Sequence, residues 1–298
     1  MEQLGTPAGI RYAGIGDEAG PGLAEQITTL GRLGWGAIEL RTVDGVAIAD
    51  LGHRAFGRLA DDVAAAGLDV ACVDSRIANW SRPVTGPFEA DTAELEALAP
   101  RCARLGTRYI RVMSYPNDGL DDPEWGSRVL RRLRLLADRA RDHGLVLLHE
   151  NCSGWAGASA DRMLELLAAA GPALRLLFDT GNGIPYGYDA HALLTEIAGH
   201  VAHVHIKDAT GGPGDTVYTM PGEGDARVPD CLRTLLRRGY TGTWSIEPHL
   251  ALRPHEDSTD ASGHGDTFVA YGRRLERLVH DLVHDLVHEK VIATETVR

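Results

Sequence analysis

Residues 145–150 read LVLLHE and residues 174–182 read LRLLFDTGN, two short apolar runs that each arrive at a carboxylate, with the amphipathic helical run Ala160 to Ala170 between them. A strand, a helix and a second strand make a βα unit, and the same alternation continues in both directions. Working outward, strands are predicted over Ile10 to Ile15, Ala37 to Arg41, Leu68 to Asp74 and Tyr109 to Ser114, and again over Val201 to Lys207 and Thr243 to Glu247. Helical runs include Glu94 to Leu105 and Arg128 to His143. Gly34, Gly67, Gly106, Gly144 and Gly171 each follow a helical run and precede or open a strand, where glycine suits the left-handed C′ position. The repeated unit predicts a single (β/α)8 TIM barrel, from about residue 9 to 290 in one domain of residues 1–298. A doubly wound open sheet also alternates strands and helices, but only a barrel brings its last four strand ends to one mouth.

Composition narrows the function classes. A net charge of −12 opposes nucleic-acid binding, and the only basic block is Arg131, Arg132 and Arg134 on a helix. No window approaches the roughly 18 apolar residues of a membrane span, and the N-terminus MEQLGTPAGIRYAG lacks a basic or continuous apolar leader, so no membrane partner and a cytoplasmic location are expected. Cys72, Cys102, Cys152 and Cys231 are scattered with no CxxC pair, which argues against a disulfide framework or a structural zinc site; Cys72, Cys102 and Cys231 are read as small buried apolar residues. A small-molecule partner is favoured. Of 30 basic residues only Lys207 and Lys290 are lysine, which marks Lys207 as a position where a compact ammonium, not a planar guanidinium, is wanted.

Four segments end predicted strands: HEN (149–151), FDTGN (178–182), HVHIKD (203–208) and SIEPH (245–249). They offer Glu150, Asp179, His205 and Glu247, an oxygen-rich set with one imidazole, which suits one divalent ion, Mn²⁺ first and Mg²⁺ or Co²⁺ as alternatives. Period-two alternation puts His203, His205 and Lys207 on one face of their strand, and Thr243, Ser245 and Glu247 on one face of theirs. Inward carboxylates need a partner, and a metal ion serves several at once. His203 is expected to support the site from beneath, and His149 to face the other side of its strand. Arg41 and Arg111 are expected to brace carboxylates. Glu39, Asn151, Asn182 and His249 are candidate substrate contacts, with Glu39 also able to brace another residue, and Trp155 and Tyr186 are candidate flat walls for a sugar ring. Residues 208–227, with GGPGD and PGEGD, predict a long loop over the mouth. In HDLVHDLVHE, His280, His284 and His288 form a solvated helical stripe, since HExxH is absent.

With those residues in place the chain resembles the sugar phosphate isomerase/epimerase superfamily, the xylose isomerase-like TIM barrels. The likeness runs from GIGDE through SIEPH and is strongest from HEN onward, in the ordered Glu, Asp, His, Glu set with DTGN and HIKD. The resemblance implies that Glu150, Asp179, His205 and Glu247 hold one divalent ion against two adjacent oxygens of a keto-sugar or related hydroxy-carbonyl compound, stabilising an enediolate. Glu150 and Glu247 would remove and return the carbon-bound proton, giving a metal-dependent isomerase or epimerase of a sugar or cyclitol. Lys207 would protonate a departing oxygen or neutralise the enediolate, a third catalytic candidate. Ketose 3-epimerases tend to carry a His where this chain has Asn182 and an Arg where it has Gly211. HIKD and PGEGD look more like the inosose dehydratase branch, so a lyase on the same scaffold, dehydratase-like or cleaving a 3-keto glycoside, is the alternative. A hydrolytic barrel of the endonuclease IV type would need many more histidines and a DNA-binding surface. An unphosphorylated substrate is favoured by the lack of a phosphate-binding cluster, and a homo-oligomer built through exposed helix faces is left open.

Overall fold

The computed structural model describes residues 10–253 and 263–296, with side chains through Glu289. Eight parallel strands form the barrel: β1 Arg11–Gly14, β2 Ala37–Leu40, β3 Asp69–Asp74, β4 Tyr109–Ser114, β5 Val146–Gly154, β6 Leu174–Asp179, β7 Val201–Ile206 and β8 Thr243–Ile246. They pair in sequence order from β2 to β8, β8 pairs with β1, and a single parallel bridge between Ile15 and Glu39 closes the ring. The principal helices are α1 Leu23–Leu33, α2 His53–Ala65, α3 Glu89–Leu105, α4 Asp122–Asp142, α5 Ala160–Ala170, α6 Ala190–Ile197, α7 Val228–Arg237 and α8 His264–Thr296. The chain is thus a (β/α)8 TIM barrel.

Two apolar compartments follow from the alternation. The larger lies between strands and helices, with Ile38, Val73, Val112, Leu147, Phe178, Val204 and Trp244 from the sheet meeting helix residues such as Leu95, Leu133, Leu166 and Leu275. Burying such a side chain contributes about 1.5–3 kcal/mol, so this layer supplies most of the fold's cohesion. The barrel interior holds only two small clusters, Ala13, Ala37 and Ala71, and Cys72, Leu148 and Leu177. Above them the inward residues are mostly polar, Met113 of β4 excepted, so the barrel is apolar at its floor and charged at its mouth.

Several element ends differ from the sequence reading. Helix α4 starts at Asp122, ahead of Arg128, because Asp121 accepts the Glu124 amide at 2.9 Å and Pro123 fits the first turn. Strand β5 runs past Glu150 to Gly154. Gly154 has φ +100 and presses on the Ser114 backbone, where a Cβ would lie 2.9 Å from the carbonyl carbon, so only glycine allows this extension. All five glycines expected to end helices have positive φ, from 68° at Gly67 to 73° at Gly106. The long loop is partly ordered: Asp208–Thr210 pairs with Val217–Thr219 as a ribbon, and the Asp208 carboxylate accepts the amides of Gly222, Gly224 and Ala226 in PGEGDA. Its own next amide, Ala209, bonds it as well. No helix among the described residues is long and apolar enough to cross a membrane.

Candidate metal centre at the barrel mouth

Glu150 lies within β5, Asp179 ends β6, His205 is next to last in β7 and Glu247 directly follows β8; their ligand atoms all lie within 4.8 Å of one another with every side chain buried. His205 sits between the two glutamates, its Nδ1 3.6 Å from Glu150 Oε1 and 3.6 Å from Glu247 Oε2. Its other ring nitrogen, Nε2, lies 3.0 Å from Glu39 Oε1, while Glu39 Oε2 takes His203 Nε2 at 2.8 Å. Burial opposes its charge, but Glu39 on Nε2 and the two glutamates beside Nδ1 lift the imidazole well above its ordinary range, so a cation at Nδ1 would displace the proton from that nitrogen while Glu39 keeps the one on Nε2.

The DTGN turn aims Asp179. Its Oδ1 accepts the Gly181 and Asn182 amides, each at 2.7 Å, leaving Oδ2 to face the centre. Thr180 Oγ1 donates to the Lys207 carbonyl at 2.6 Å and accepts the Lys207 amide at 3.0 Å, stapling β6 to the end of β7. Gly181 is required by closeness, since a Cβ there would fall 2.8 Å from the Lys207 carbonyl carbon.

Three cations surround the carboxylates. Arg111 Nη1 donates to Glu150 Oε2 at 3.0 Å, Arg41 Nη1 to Glu247 Oε1 at 2.9 Å, and Lys207 Nζ lies 2.6 Å from Glu247 Oε2 and 3.0 Å from Asp179 Oδ2. Arg41 is itself held by Asp17 and Glu18. Burial raises Glu150, but Arg111 and His205 overcome it and hold it down at about 2. Burial likewise opposes ionisation of Glu247, and Lys207 and His249 bring it well below the usual carboxylate range. Asp179 goes the other way: burial, with Glu247 and Glu150 nearby, pushes it up to about 7 despite Lys207. Burial also lifts Glu18, to about 7.

The donor set fits a divalent cation. His205 Nδ1 is buried with no hydrogen-bond partner, and Asp179 Oδ2 has only its ion pair with Lys207 at 3.0 Å, although buried polar atoms rarely go unsatisfied. Both belong to the four-residue cluster. Three carboxylates and one imidazole match an oxygen-preferring divalent ion better than a thiolate-preferring one. Other close groupings exist, among them Glu18, Glu247 and His249, but Arg41 lies against both glutamates of that one.

A cavity of about 280 Å³ opens onto the centre. Glu150, Asn182, Lys207, Glu247, His249 and Tyr186 line it, as do Arg41 and Arg111. Asn182 Nδ2 donates to Glu150 Oε1 at 3.1 Å. His249 is held by Glu18 through both its amide and Nδ1, each at 2.8 Å. Three expected substrate contacts are placed elsewhere. Glu39 is fully buried one layer below the cavity, occupied by the two histidines. Asn151 is spent on β6, its Nδ2 donating to the Asp179 carbonyl at 2.8 Å and its Oδ1 accepting the Asp179 amide at 2.6 Å. Trp155 packs under α4, where a Cβ on Gly126 would lie 2.8 Å from the indole, and Arg162 stacks on it at 5.3 Å. Trp80, Met113, Cys152 and Tyr218 line the cavity without having been anticipated. Tyr218 arrives on the ribbon of the long loop, the part of the expected covering segment that reaches the cavity. His149 faces away, burial holding it neutral, down at about 4. His284 and His288 are exposed and touch each other at 3.1 Å.

Comparison with known proteins bears on the same features. Among curated proteins the chain is similar to the rhizopine catabolism protein MocC of Rhizobium meliloti, 28% identical over 192 residues, 54% of this chain and 59% of that protein. It is 30% identical over 202 residues to 2-epi-5-epi-valiolone 7-phosphate 2-epimerase of Actinoplanes sp., covering 67% of this chain and 68% of the epimerase. Inosose dehydratase of Bacillus licheniformis is 28% identical over 142 residues, 42% of this chain and 47% of the dehydratase. The matched stretch therefore spans under two thirds of the first and about half of the third. The relatives include an epimerase and a dehydratase. Among solved structures, the IolI protein with a bound zinc atom superimposes with a TM-score of 0.74 over 92% of this chain and 99% of that one, at 15% identity. A xylose isomerase-like TIM barrel protein from Mycobacterium smegmatis in complex with magnesium gives 0.65 over 94% and 99%, at 16% identity. At those identities the likeness is one of fold. The family model described as xylose isomerase-like TIM barrel matches residues 28–263. With that match over most of the barrel, β2 through β8, the chain belongs to the xylose isomerase-like TIM barrel family.

Proposed function

We propose that this protein is a divalent-metal-dependent isomerase or epimerase of a keto-sugar or related hydroxy-carbonyl compound, such as a cyclitol ketone. The observation that carries this reading is the buried quartet, in which His205 Nδ1 lacks a hydrogen-bond partner and Asp179 Oδ2 has only the Lys207 ammonium, beside two paired glutamates. Glu150, Asp179, His205 and Glu247 would hold the ion, Mn²⁺ in the first place and Mg²⁺ or Co²⁺ as alternatives. When bound, the ion supplies Lewis-acid stabilisation of negative charge developing on the substrate oxygens.

The residues of the chain do the rest. Glu150 and Glu247 flank His205 and face one cavity, so one can take the proton from the carbon between carbonyl and hydroxyl while the other returns one. Arg111 keeps Glu150 ionised, Lys207 and His249 keep Glu247 ionised, and Arg111 and Arg41 fix the two carboxylates in direction. Asn182 holds Glu150 from the cavity side, and His249, fixed by Glu18, offers its ring edge to a hydroxyl. Return of the proton to the opposite face gives an epimer; return to the neighbouring carbon gives an isomer.

Lys207 favours a second reading. Its ammonium lines the cavity within 2.6 Å of Glu247, positioned to give a proton to an oxygen leaving from the β-carbon. With such a leaving group the same proton abstraction ends in elimination, as the dehydratase relatives' name describes. Product analysis decides. The metal-loaded protein is incubated with ketohexoses, inososes and 3-keto glycosides, and the products are separated. An epimer or isomer supports the first reading, an unsaturated or fragmented product the second, and no conversion of any member contradicts both.

A further inference from the structure

Beside the metal centre, on the β2 and β3 side, lies a second cavity of about 410 Å³. It shares Arg41, Arg111 and Trp80 with the first, so the two adjoin along a common wall. The first, at about 280 Å³, falls just below the usual ligand-pocket range of about 300–1,000 Å³. The pair together lies well inside it.

The walls of the second cavity describe its occupant. Trp80 presents a large ring that is 41% exposed at the boundary, the kind of flat surface on which a sugar ring packs. Asp74 lines the cavity, is 4% exposed, and neither carboxylate oxygen has a hydrogen-bond partner; Arg111 Nε is in the same condition 3.6 Å away. Those atoms are sealed behind the wall, but Ser75, Arg76 and Asn79 bring polar groups to the lining itself, which suits a ligand with hydroxyl groups able to donate and accept. Asn79, whose Oδ1 is taken by Ser81, and Val46 of the short Thr42–Ala47 ribbon complete the wall.

Charge excludes a phosphate. Each arginine that lines the cavity already faces carboxylates: Arg41 has Asp17, Glu18 and Glu247, Arg76 has Asp50 and Glu94, and Arg111 has Asp74 and Glu150. No cation there is left in excess for an anionic ligand. We propose that this cavity is a second subsite binding a neutral polyhydroxylated ring linked to the reacting one, so that the substrate is a two-ring, disaccharide-sized compound and not a free or phosphorylated monosaccharide. This rests on the proposed reaction for which ring reacts, but not for whether the second ring binds.

Calorimetric titration of the full chain tests it with two non-reacting probes, a methyl hexoside and a disaccharide. The expected result is that the disaccharide binds at least tenfold more tightly, and that Asn79→Ala and Val46→Trp each erase most of that preference. Val46 is 39% exposed, so the larger side chain has room, and matching unfolding midpoints would show that the fold is kept. Equal binding of the two probes, or a preference that survives in both variants, overturns the subsite. Disaccharide binding that depends on these residues, in a protein that exchanges no substrate proton, would keep the subsite while removing the proposed reaction.

Discussion

Asp179 divides its carboxylate between two tasks, and the division explains why an aspartate ends β6. Oδ1 is tied to two amides of its own turn, and Oδ2 projects toward His205 and the glutamates. Before a cation binds, burial holds this carboxyl up at about 7, so below that pH a proton must leave as the ion enters. The sign is definite: apparent metal affinity should fall by up to about tenfold per pH unit below about 7 for the Asp179 proton. It should keep rising above about 7, because burial opposes but Glu39 and the two glutamates hold the His205 imidazole protonated well above its ordinary range. Competition with a chromophoric chelator between pH 5.5 and 8 checks this, and an affinity that does not change with pH would contradict it. Glu39 provides the companion test. It lies outside the cavity and bears on the centre through His205, its other oxygen being taken by His203, so Glu39→Gln should weaken metal binding by about 10–100-fold. With saturating metal, its KM should stay near that of the unaltered protein. The inward faces of Glu150, Asp179, His205 and Glu247 were legible because alternation fixes which face of a strand a residue takes. Depth was not: Glu39 also points inward, but one layer too low. Trp155 sits past a strand end, where no periodicity applies, and the indole turned to the helices instead.

At the scale of elements, the turn after β6 and the last residues of β7 are built as one piece. Thr180 bonds both main-chain groups of Lys207, and Gly181 packs directly on the same peptide. Gly181→Ala would force a Cβ into the Lys207 backbone, and overpacking of this kind costs about 1–3 kcal/mol. Urea unfolding should show that loss, and the variant should also bind metal more weakly because Asp179 moves with the turn. Unchanged stability and affinity would mean the turn is not tightly coupled to β7. Helix and strand positions were readable from periodicity, and the helix-ending glycines marked boundaries well. The starts of α3 and α4 were missed because their first turns are polar, and the DDPE signal at residues 121–124 is a capping pattern without apolar period. The continuation of β5 to Gly154 rests on a close backbone contact with Ser114 that only the folded barrel reveals.

Across the whole molecule, the barrel gathers residues from distant parts of the chain into one charged mouth above an apolar floor. Arg41 of the second βα unit neutralises Glu247 at the last strand, and Arg111 at β4 does the same for Glu150 at β5. Such buried ion pairs are weak sources of stability but fix geometry, which proton transfer requires. An ion bound only by the folded chain should also raise the thermal midpoint, with about 2.7 kcal/mol expected at a hundredfold excess over its Kd. Chelator treatment should reverse the rise, and a midpoint indifferent to added Mn²⁺ would argue against a resident cation. Fold class was legible because eight units each carry the same pattern. Substrate was not, because the outer wall of the cavity comes from loops such as those bearing Trp80 and Tyr218, whose convergence depends on closure of the ring.

The most direct test is ¹H NMR in D₂O of the α-proton of a hydroxy-ketone substrate, comparing Mn²⁺-loaded protein, chelator-treated protein and loaded Glu150→Gln. The signal should disappear with the loaded protein, persist after chelation, and fade at least about 100-fold more slowly with Glu150→Gln. Exchange that continues without metal, or that proceeds undiminished in Glu150→Gln, would contradict a reaction driven by this centre.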